Sequence, residues 1–170
     1  IDDDEFPENN WLLKLYKTCQ EYKAGAVLGP VIPHYEGTPP KWLVRGRFCE
    51  RPSYKTGTRI HWSKSRLGNV LVTASCFQHG TQAFNPKFRF QGEDVVFFKG
   101  LYERGYSFVW CSDAPVYEAV NESRHRKSYF LRRAFVQGNV SLQYYGDLDW
   151  GESIYILLKS VAASMAYTAM

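Results

Sequence analysis

The sequence predicts an α/β domain in which a mixed, largely buried sheet is flanked by helices. Apolar residues from Trp11 to Tyr22 recur with the 3.6-residue period of an amphipathic helix. Two short apolar runs, Asn69–Thr73 and Phe108–Ser112, have the composition of buried strands. The chain has 170 residues, 45% of them hydrophobic, which is enough for one folded domain with its own core and argues against disorder.

The first helix is predicted to follow Pro7, a residue suited to a first helical turn, and to end near Lys23. Gly25 is then expected to take the left-handed conformation that commonly closes a helix. The next segment, Ala26–Ile32, is predicted as one edge or bulged strand because it contains Gly29-Pro30.

Residues 33–67 are rich in glycine, proline, aromatic and basic residues, and they predict a long loop. Loops of this length in a compact domain are usually functional, so we expect a lid or an acceptor-binding surface. Trp42 and Trp62 in this loop would either stack on a sugar ring or plug the core, and the sequence leaves both interpretations open.

The second half of the chain begins with the strand at Asn69–Thr73, which we expect to extend through Phe77. A turn is predicted at Phe84–Phe88, and a helix from Glu93 that ends just before Gly105. Val116–Glu118 is expected to begin a connecting segment after the strand Phe108–Ser112.

A final amphipathic helix is predicted to place Phe130, Leu131, Ala134 and Phe135 on one face. The basic residues of this helix are by default a solvated face, and His125 beside it is expected to be solvated. Four widely spaced cysteines contain no Cys-x-x-Cys pair, so buried free thiols are expected.

Two acidic clusters, Asp2-Asp3-Asp4-Glu5 and Glu93-Asp94, stand out against a net charge of +4. Asp2, Asp4 and their neighbours repel one another, which a divalent metal with oxygen ligands would offset, although a frayed acidic terminus is the simpler alternative. Glu93 and Asp94 either complement a helix dipole or include a general base for a hydroxyl group. The residues alone leave both choices open.

The order of these parts resembles the family 2 inverting glycosyltransferases of the GT-A fold, which build bacterial cell-surface polysaccharides. The resemblance covers about residues 1–140. The matching pieces are Asp2-Asp3-Asp4-Glu5 with Pro7 and Trp11-Leu12, Gly29-Pro30-Val31-Ile32-Pro33 with Pro40-Lys41-Trp42, Gly68-Asn69-Val70-Leu71-Val72, Phe88 with Gly92-Glu93-Asp94, Glu118, Arg124, and Arg133 with Gly138.

This resemblance implies a partial GT-A fold: residues 1–145 would form the acceptor-side half of the domain. Asp2 and Asp4 resemble the outer acids of an Asp-x-Asp motif, with Asp4 as the expected direct ligand of Mg²⁺ or Mn²⁺. Asp94 resembles the general base, with Glu93 beside it. Arg124 and Arg133 resemble positions near the donor's diphosphate.

The implied partners are a nucleotide-sugar donor and a glycan or lipid-linked acceptor, with no nucleic acid. The chain departs from the family pattern in two ways. The nucleotide-binding half of the fold, which would precede Ile1, is not in this sequence, and Gln137 stands where related sequences often carry a second basic residue. A truncated, non-catalytic module that binds carbohydrate or a membrane is the alternative. The apolar segment 146–170 is a candidate membrane contact, and we expect a cytoplasmic location, peripheral at the inner face of the cell membrane.

Overall fold

A computed structural model of the chain describes residues 1–77 and 93–144, together with Ile154 and Leu158. For residues 137–144 it describes the backbone alone. The predicted turn at Phe84–Phe88, the side chain of Gln137 and nearly all of the apolar segment 146–170 lie outside the described residues.

The described part of the chain is mixed α/β, with two small mixed sheets flanked by helices. The first sheet has the order β1-β6-β3, in which β1 is antiparallel and β3 parallel to β6. The second has the order β4-β2-β5, in which β4 is antiparallel and β5 parallel to β2. The elements are β1 (Glu5–Pro7), α1 (Trp11–Tyr22), β2 (Ala26–Leu28), β3 (Val31–Tyr35), α2 (Lys41–Arg45), β4 (Val70–Val72), α3 (Glu93–Glu103), β5 (Phe108–Trp110), β6 (Val116–Val120) and α4 (Lys127–Tyr144). The expectation of one sheet is therefore corrected to two within the described residues.

The predicted single strand Ala26–Ile32 is wrong, because the chain passes from one sheet to the other at Gly29-Pro30. A side chain at Gly29 would place its Cβ 2.4 Å from Asn69 Nδ2 and 2.5 Å from the Ala114 carbonyl oxygen. The close approach of these groups requires glycine at this position. Pro30 follows at the point where the chain leaves the second sheet and enters the first.

The period of α1 is confirmed, but two details at its ends are corrected. Pro7 belongs to β1 rather than to a first helical turn, since Pro7 pairs with Val116. Lys23, with φ of 48°, takes the left-handed position that was expected of Gly25. Gly25 is instead required by packing, because its Cβ would lie 2.7 Å from Tyr106 Cδ1.

The helix α3 agrees with the sequence: Glu93–Glu103 is helical, and Gly105 just beyond its end has φ of 85°. Residues 74–77 form a 3-10 turn rather than extending β4. The expected connecting segment at Val116 is the middle strand of the first sheet, where it pairs on both sides. The run Val-Tyr-Glu-Ala-Val does not alternate strictly, because Glu118 shares a face with the buried Val116 and Val120, so the sequence pattern alone was a weak signal for a strand.

The predicted apolar face of α4 is only partly correct. Phe130 is buried, whereas Leu131 and Phe135 are 48% and 72% exposed. Arg133 is half-buried, so the basic side of the helix is not wholly solvated. Phe130, in the first turn of the helix, packs against Trp42 and Phe48.

The core lies on both faces of the second sheet. Ala26 and Leu28 of β2 pack with Phe98 of α3 on one face, while Val27 packs with Leu15 of α1 on the other. This alternation follows from the two-residue period of a strand. The four cysteines are free thiols, and Cys19, Cys76 and Cys111 are buried as expected.

Within the part of the chain that the structure describes, no helix combines the length and the hydropathy needed to cross a membrane.

Asn69 fastens the second sheet to its surroundings. Its side chain accepts a hydrogen bond from Trp11 Nε1 at 2.7 Å and donates to the carbonyl oxygens of Pro30 at 2.8 Å and Ala114 at 2.7 Å.

Asn69→Ala leaves buried polar groups unpartnered, and we expect it to lower the free energy of unfolding by on the order of 3 kcal/mol. Urea denaturation measures this loss. The exposed Asn9→Ala is the control, and equal effects of the two substitutions would contradict the role of Asn69.

Candidate functional site

Four arginines from separate segments converge on one cavity of about 180 Å³, which we call the arginine cavity. Arg51 comes from the loop after α2, and Arg66 from the loop before β4. Arg124 lies in a 3-10 turn after β6, and Arg133 on α4. Glu118 of β6 lies among them in the cavity wall. The concentration of guanidinium groups makes this cavity the strongest candidate for an anion site in the described residues.

Glu118 holds two of these arginines at once. Arg51 Nη2 donates to Glu118 Oε2 at 2.6 Å, and Arg124 Nη1 donates to Glu118 Oε1 at 2.9 Å. Arg124 Nη2 also donates to Asp4 Oδ2 at 2.7 Å. Charge-assisted bonds of this length fix both guanidinium groups. Glu118 projects from the middle strand of the first sheet and thereby holds Arg51 and Arg124 in the cavity wall. Arg124 in turn holds Asp4 of the acidic segment.

Glu5 adds a third carboxylate to this network of ion pairs. Its Oε1 lies 3.8 Å from Arg51 Nη1, and its Oε2 accepts a hydrogen bond from the Asp2 backbone N–H at 3.3 Å. Burial raises the pKa of the Glu5 carboxyl, while the bond from Asp2 acts in the opposite direction. Oε1 is buried and has no hydrogen-bond partner in the described structure.

Arg66 and Arg133 differ from the other two arginines because neither forms an ion pair with the described residues. Arg66 is exposed at the surface, but protein atoms around its guanidinium desolvate it and lower its pKa. Repulsion from Arg51 and Arg133 lowers the pKa further. A bound anion would relieve this repulsion, so these two guanidinium groups are available for phosphate oxygens.

The acidic segment offers oxygen atoms suited to a divalent metal. Asp2 Oδ2 and Glu5 Oε1 lie 3.5 Å and 2.9 Å from the point that a Cβ at Gly68 would occupy. A Cβ at Gly68 would crowd the Glu5 oxygen, and Arg51 Nη1 lies 3.4 Å from the same point, so the glycine permits the close approach of these charged groups. Carboxylate oxygens are the ligands that Mg²⁺ and Mn²⁺ prefer, but the described residues contain no group of three or more side chains able to hold a metal. An ion held by Asp2 or Asp4 would need further ligands from substrate phosphates and water.

The structure brings together most of the residues that the sequence singled out. Asp4 contacts Arg124, and Arg133 lines the same cavity as Arg124. Asp94 Oδ1 accepts a hydrogen bond from the Val95 N–H at 2.8 Å.

The two acids at the start of α3 differ in their surroundings. Asp94 lies close enough to Arg66 for its charge to act on the Arg66 guanidinium, where it favours the charged form. The side chain of Glu93 makes no hydrogen bond or ion pair with the described residues.

Arg51 and Arg66 were not singled out from the sequence. They lie in the long segment 33–67, whose basic residues were noticed only as composition. Glu118 was matched to the family pattern without a role. The available signal was the density of basic side chains in a segment with few acids, and this signal does not say which of them face one cavity.

The two tryptophans of that segment favour the packing interpretation. Trp42 lies against Phe48 and Phe130, with ring centroids 5.4 Å and 5.9 Å away. Trp62 is partly buried against the core, with Lys99 Nζ 5.7 Å from its ring centroid. The expectation of a solvated His125 is wrong, because that ring is half-buried and its Nε2 is shielded from solvent.

A second cavity of about 310 Å³ opens where β2 and β5 end, and we call it the strand-end cavity. Leu28 and Trp110, the last residues of these parallel strands, form part of its wall. Carboxyl ends of parallel strands are common places for ligands in open α/β sheets. Arg51 and Arg66 line both cavities, so the two sites are neighbours.

No protein-family model matches the chain. The chain is 30% identical over 144 residues to the succinoglycan biosynthesis protein ExoM of Rhizobium meliloti (strain 1021). This match covers 81% of the chain and 44% of ExoM, so the chain spans less than half the length of that relative.

Cys49 lines the arginine cavity and is the one cysteine of the sequence that the structure leaves partly accessible. Burial raises the pKa of its thiol, and a hydrogen bond from Tyr35 only partly opposes this. The thiolate is the reactive form, so iodoacetamide should modify Cys49 more slowly than an unhindered cysteine at pH 8 and faster as the pH rises.

Inorganic pyrophosphate, an anion suited to the arginines, should slow this modification by covering the cavity, as mass spectrometry of the alkylated peptide would show. Cys49→Ser provides the baseline from the three buried cysteines. Modification at an unchanged rate in the presence of pyrophosphate would contradict an anion site in the arginine cavity.

Proposed function

We propose that the chain is the catalytic part of a metal-dependent, inverting glycosyltransferase of family 2 with a GT-A fold. It would transfer a sugar from a nucleotide-diphosphate donor to a hydroxyl acceptor during the synthesis of a cell-surface polysaccharide or glycolipid. The observation that carries this proposal is the arginine cavity, in which two guanidinium groups without an ion pair among the described residues face the same space as the arginine bound to Asp4.

The similarity to ExoM supports the same proposal from an independent direction. ExoM is named for the biosynthesis of succinoglycan, a polysaccharide, and polysaccharides are assembled by the transfer of sugars. The similar region includes most of this chain. The proposal therefore rests on two observations: the similarity to a protein of polysaccharide biosynthesis, and a cavity whose positive charge suits a diphosphate.

The arginines bind and orient the donor in this scheme. Arg66 and Arg133 bind the diphosphate oxygens, while Arg124 remains anchored by Asp4 and Glu118 at the edge of the cavity. Negative charge accumulates on the diphosphate as the bond to the sugar breaks. Guanidinium groups fixed before the reaction stabilise that charge without reorganising.

Asp94 supplies the base for the acceptor. As the acceptor oxygen attacks the anomeric carbon, its proton passes to the Asp94 carboxylate and the new carbon–oxygen bond forms. The bond from the anomeric carbon to the diphosphate breaks on the opposite side, and the nucleoside diphosphate leaves with that electron pair. Attack opposite the leaving group inverts the configuration.

Asp2 and Asp4 are the proposed holders of Mg²⁺ or Mn²⁺, with Glu5 beside them. A bound cation would neutralise charge on the leaving diphosphate. Asp2 is exposed to solvent, whereas Asp4 is half-buried and bound to Arg124. Asp2 is therefore the more accessible of the two carboxylates.

Asp94→Asn removes the proposed base while preserving the size of the side chain. We expect it to lower kcat for sugar transfer by about 100- to 10,000-fold, the usual contribution of a general base. Donor binding, measured by calorimetry, should change little. Glu93→Gln on the preceding residue is the matched control. Unchanged turnover in Asp94→Asn, or an equal loss in both variants, would remove Asp94 from this role.

Asp4→Ala removes one proposed metal ligand and one partner of Arg124. We expect it to weaken Mn²⁺-dependent donor binding by about tenfold or more, in line with the loss of a charged contact. Titration calorimetry with and without Mn²⁺ separates the metal-dependent part. Asp3→Ala is the control in the same acidic segment. Equal affinities in wild type and Asp4→Ala would exclude Asp4 from the metal site.

A further inference from the structure

The charged side chains that line the strand-end cavity within the described residues are all basic. They are Arg51, Lys64 and Arg66, and no aspartate or glutamate accompanies them there. The arginine cavity, by contrast, contains glutamates beside its arginines. A neutral sugar needs donors and acceptors of hydrogen bonds in its site rather than three positive charges. The three positive charges of the lining therefore favour an anionic ligand over a neutral one.

Two of the three cations are available to a ligand. Arg51 is engaged by Glu118 at 2.6 Å and lies 3.8 Å from Glu5. Lys64 and Arg66 form no ion pair with any described residue. Neither charge is therefore neutralised by an ion pair among the described residues, although Asp94 and Glu118 act on Arg66 from a greater distance.

Lys64 is held in place by an aromatic stack. Its Nζ lies 5.9 Å from the centroid of the Tyr54 ring, and that ring packs edge-on against Trp110 with centroids 5.2 Å apart. A cation over a ring face is attracted to it, which orders the flexible lysine side chain before a ligand arrives. Tyr54 and Trp110 also line the cavity and offer apolar surface beside the charges.

The size and the position of the cavity fit one sugar of the acceptor. A volume of about 310 Å³ is near the lower end of the range for small-molecule sites. Aromatic rings beside polar groups suit a ligand with one apolar face and several polar groups. Arg66 lines the cavity and lies within electrostatic reach of Asp94, the proposed base, so the cavity is on the side at which the acceptor would bind.

We propose that the strand-end cavity binds an acceptor sugar that carries a negative charge, a carboxylate or a phosphate group, and that Lys64 and Arg66 hold this charge. The proposal rests on the proposed function in taking the ligand to be a sugar of the acceptor. Lys64 lines only this cavity, while Arg133 lines only the arginine cavity. The two sites are therefore separable by substitution.

The test is an NMR titration of the full protein that carries this chain with glucose, glucuronate and glucose 6-phosphate, each without nucleotide. We expect at least one anionic sugar to bind at least tenfold more tightly than glucose. Preference for glucuronate identifies a carboxylate ligand, and preference for glucose 6-phosphate identifies a phosphate ligand. Glucose binding as tightly as both anionic sugars, or no binding by any of the three, would overturn the proposal.

Substitutions then assign the site. Lys64→Met should reduce the preference for the anionic sugar by about tenfold and leave nucleoside diphosphate binding unchanged. Lys55→Met, an exposed lysine of the same segment that lies outside both linings, is the control. Equal behaviour of these two variants would overturn the assignment.

Arg133→Met should have the reverse effect: weaker nucleoside diphosphate binding with anionic sugar binding unchanged. Loss of anionic sugar binding in Arg133→Met would place the sugar in the arginine cavity and overturn the proposal. Failure of the proposed function appears separately, as a wild-type protein that binds no nucleoside diphosphate and transfers no sugar. Binding of the anionic sugar is measured without nucleotide and without sugar transfer, so the two failures can be told apart.

Discussion

Glu118 makes two short bonds to arginines, and the geometry of the candidate site depends on them. It projects from β6, the middle strand of the first sheet, which pairs with β1 on one side and β3 on the other. Arg51 comes from a loop 67 residues away along the chain. Because each oxygen of the carboxylate holds a different arginine, a rigid strand fixes the positions of two side chains that the loop and the 3-10 turn alone would leave mobile.

Two classes of arginine result from this arrangement. Arg51 and Arg124 are neutralised by carboxylates and act as fixed walls, since breaking one partner of a shielded ion pair is costly. Arg66 and Arg133 have no such partner in the described structure and repel each other across the cavity. The first class gives the site its shape, and the second gives it the free positive charge that draws an anion. A cavity with only paired arginines would hold its shape but offer little to a phosphate group.

The sequence predicted the local elements better than it predicted the site. The period of α1 and the acid-to-glycine pattern of α3 depend on residues close together in the chain, and both helices were found where expected. The division of residues 26–35 between two sheets depends on Asn69 and Ala114, which approach Gly29 only in the folded protein.

The same reason explains why the candidate site was half-predicted. Asp4, Arg124 and Arg133 belong to recognisable patterns, whereas Arg51 and Arg66 lie in an irregular segment with no period to reveal which side chains share a wall. Their convergence on Glu118 and on each other is a tertiary property. Loops carry such residues because the scaffold, not the local sequence, sets their positions.

Arg66 links the two cavities, and its position has an electrostatic consequence for the order of events. It lines both sites and is repelled by Arg51 and Arg133. A diphosphate in the arginine cavity would relieve that repulsion, but it would also use part of the positive charge that an anionic sugar in the neighbouring cavity needs. Lys64, ordered by Tyr54 and absent from the arginine cavity, retains its charge whichever site is filled first. If both proposed ligands bind together, Lys64 would supply the strand-end cavity with a positive charge that it does not share with the arginine cavity.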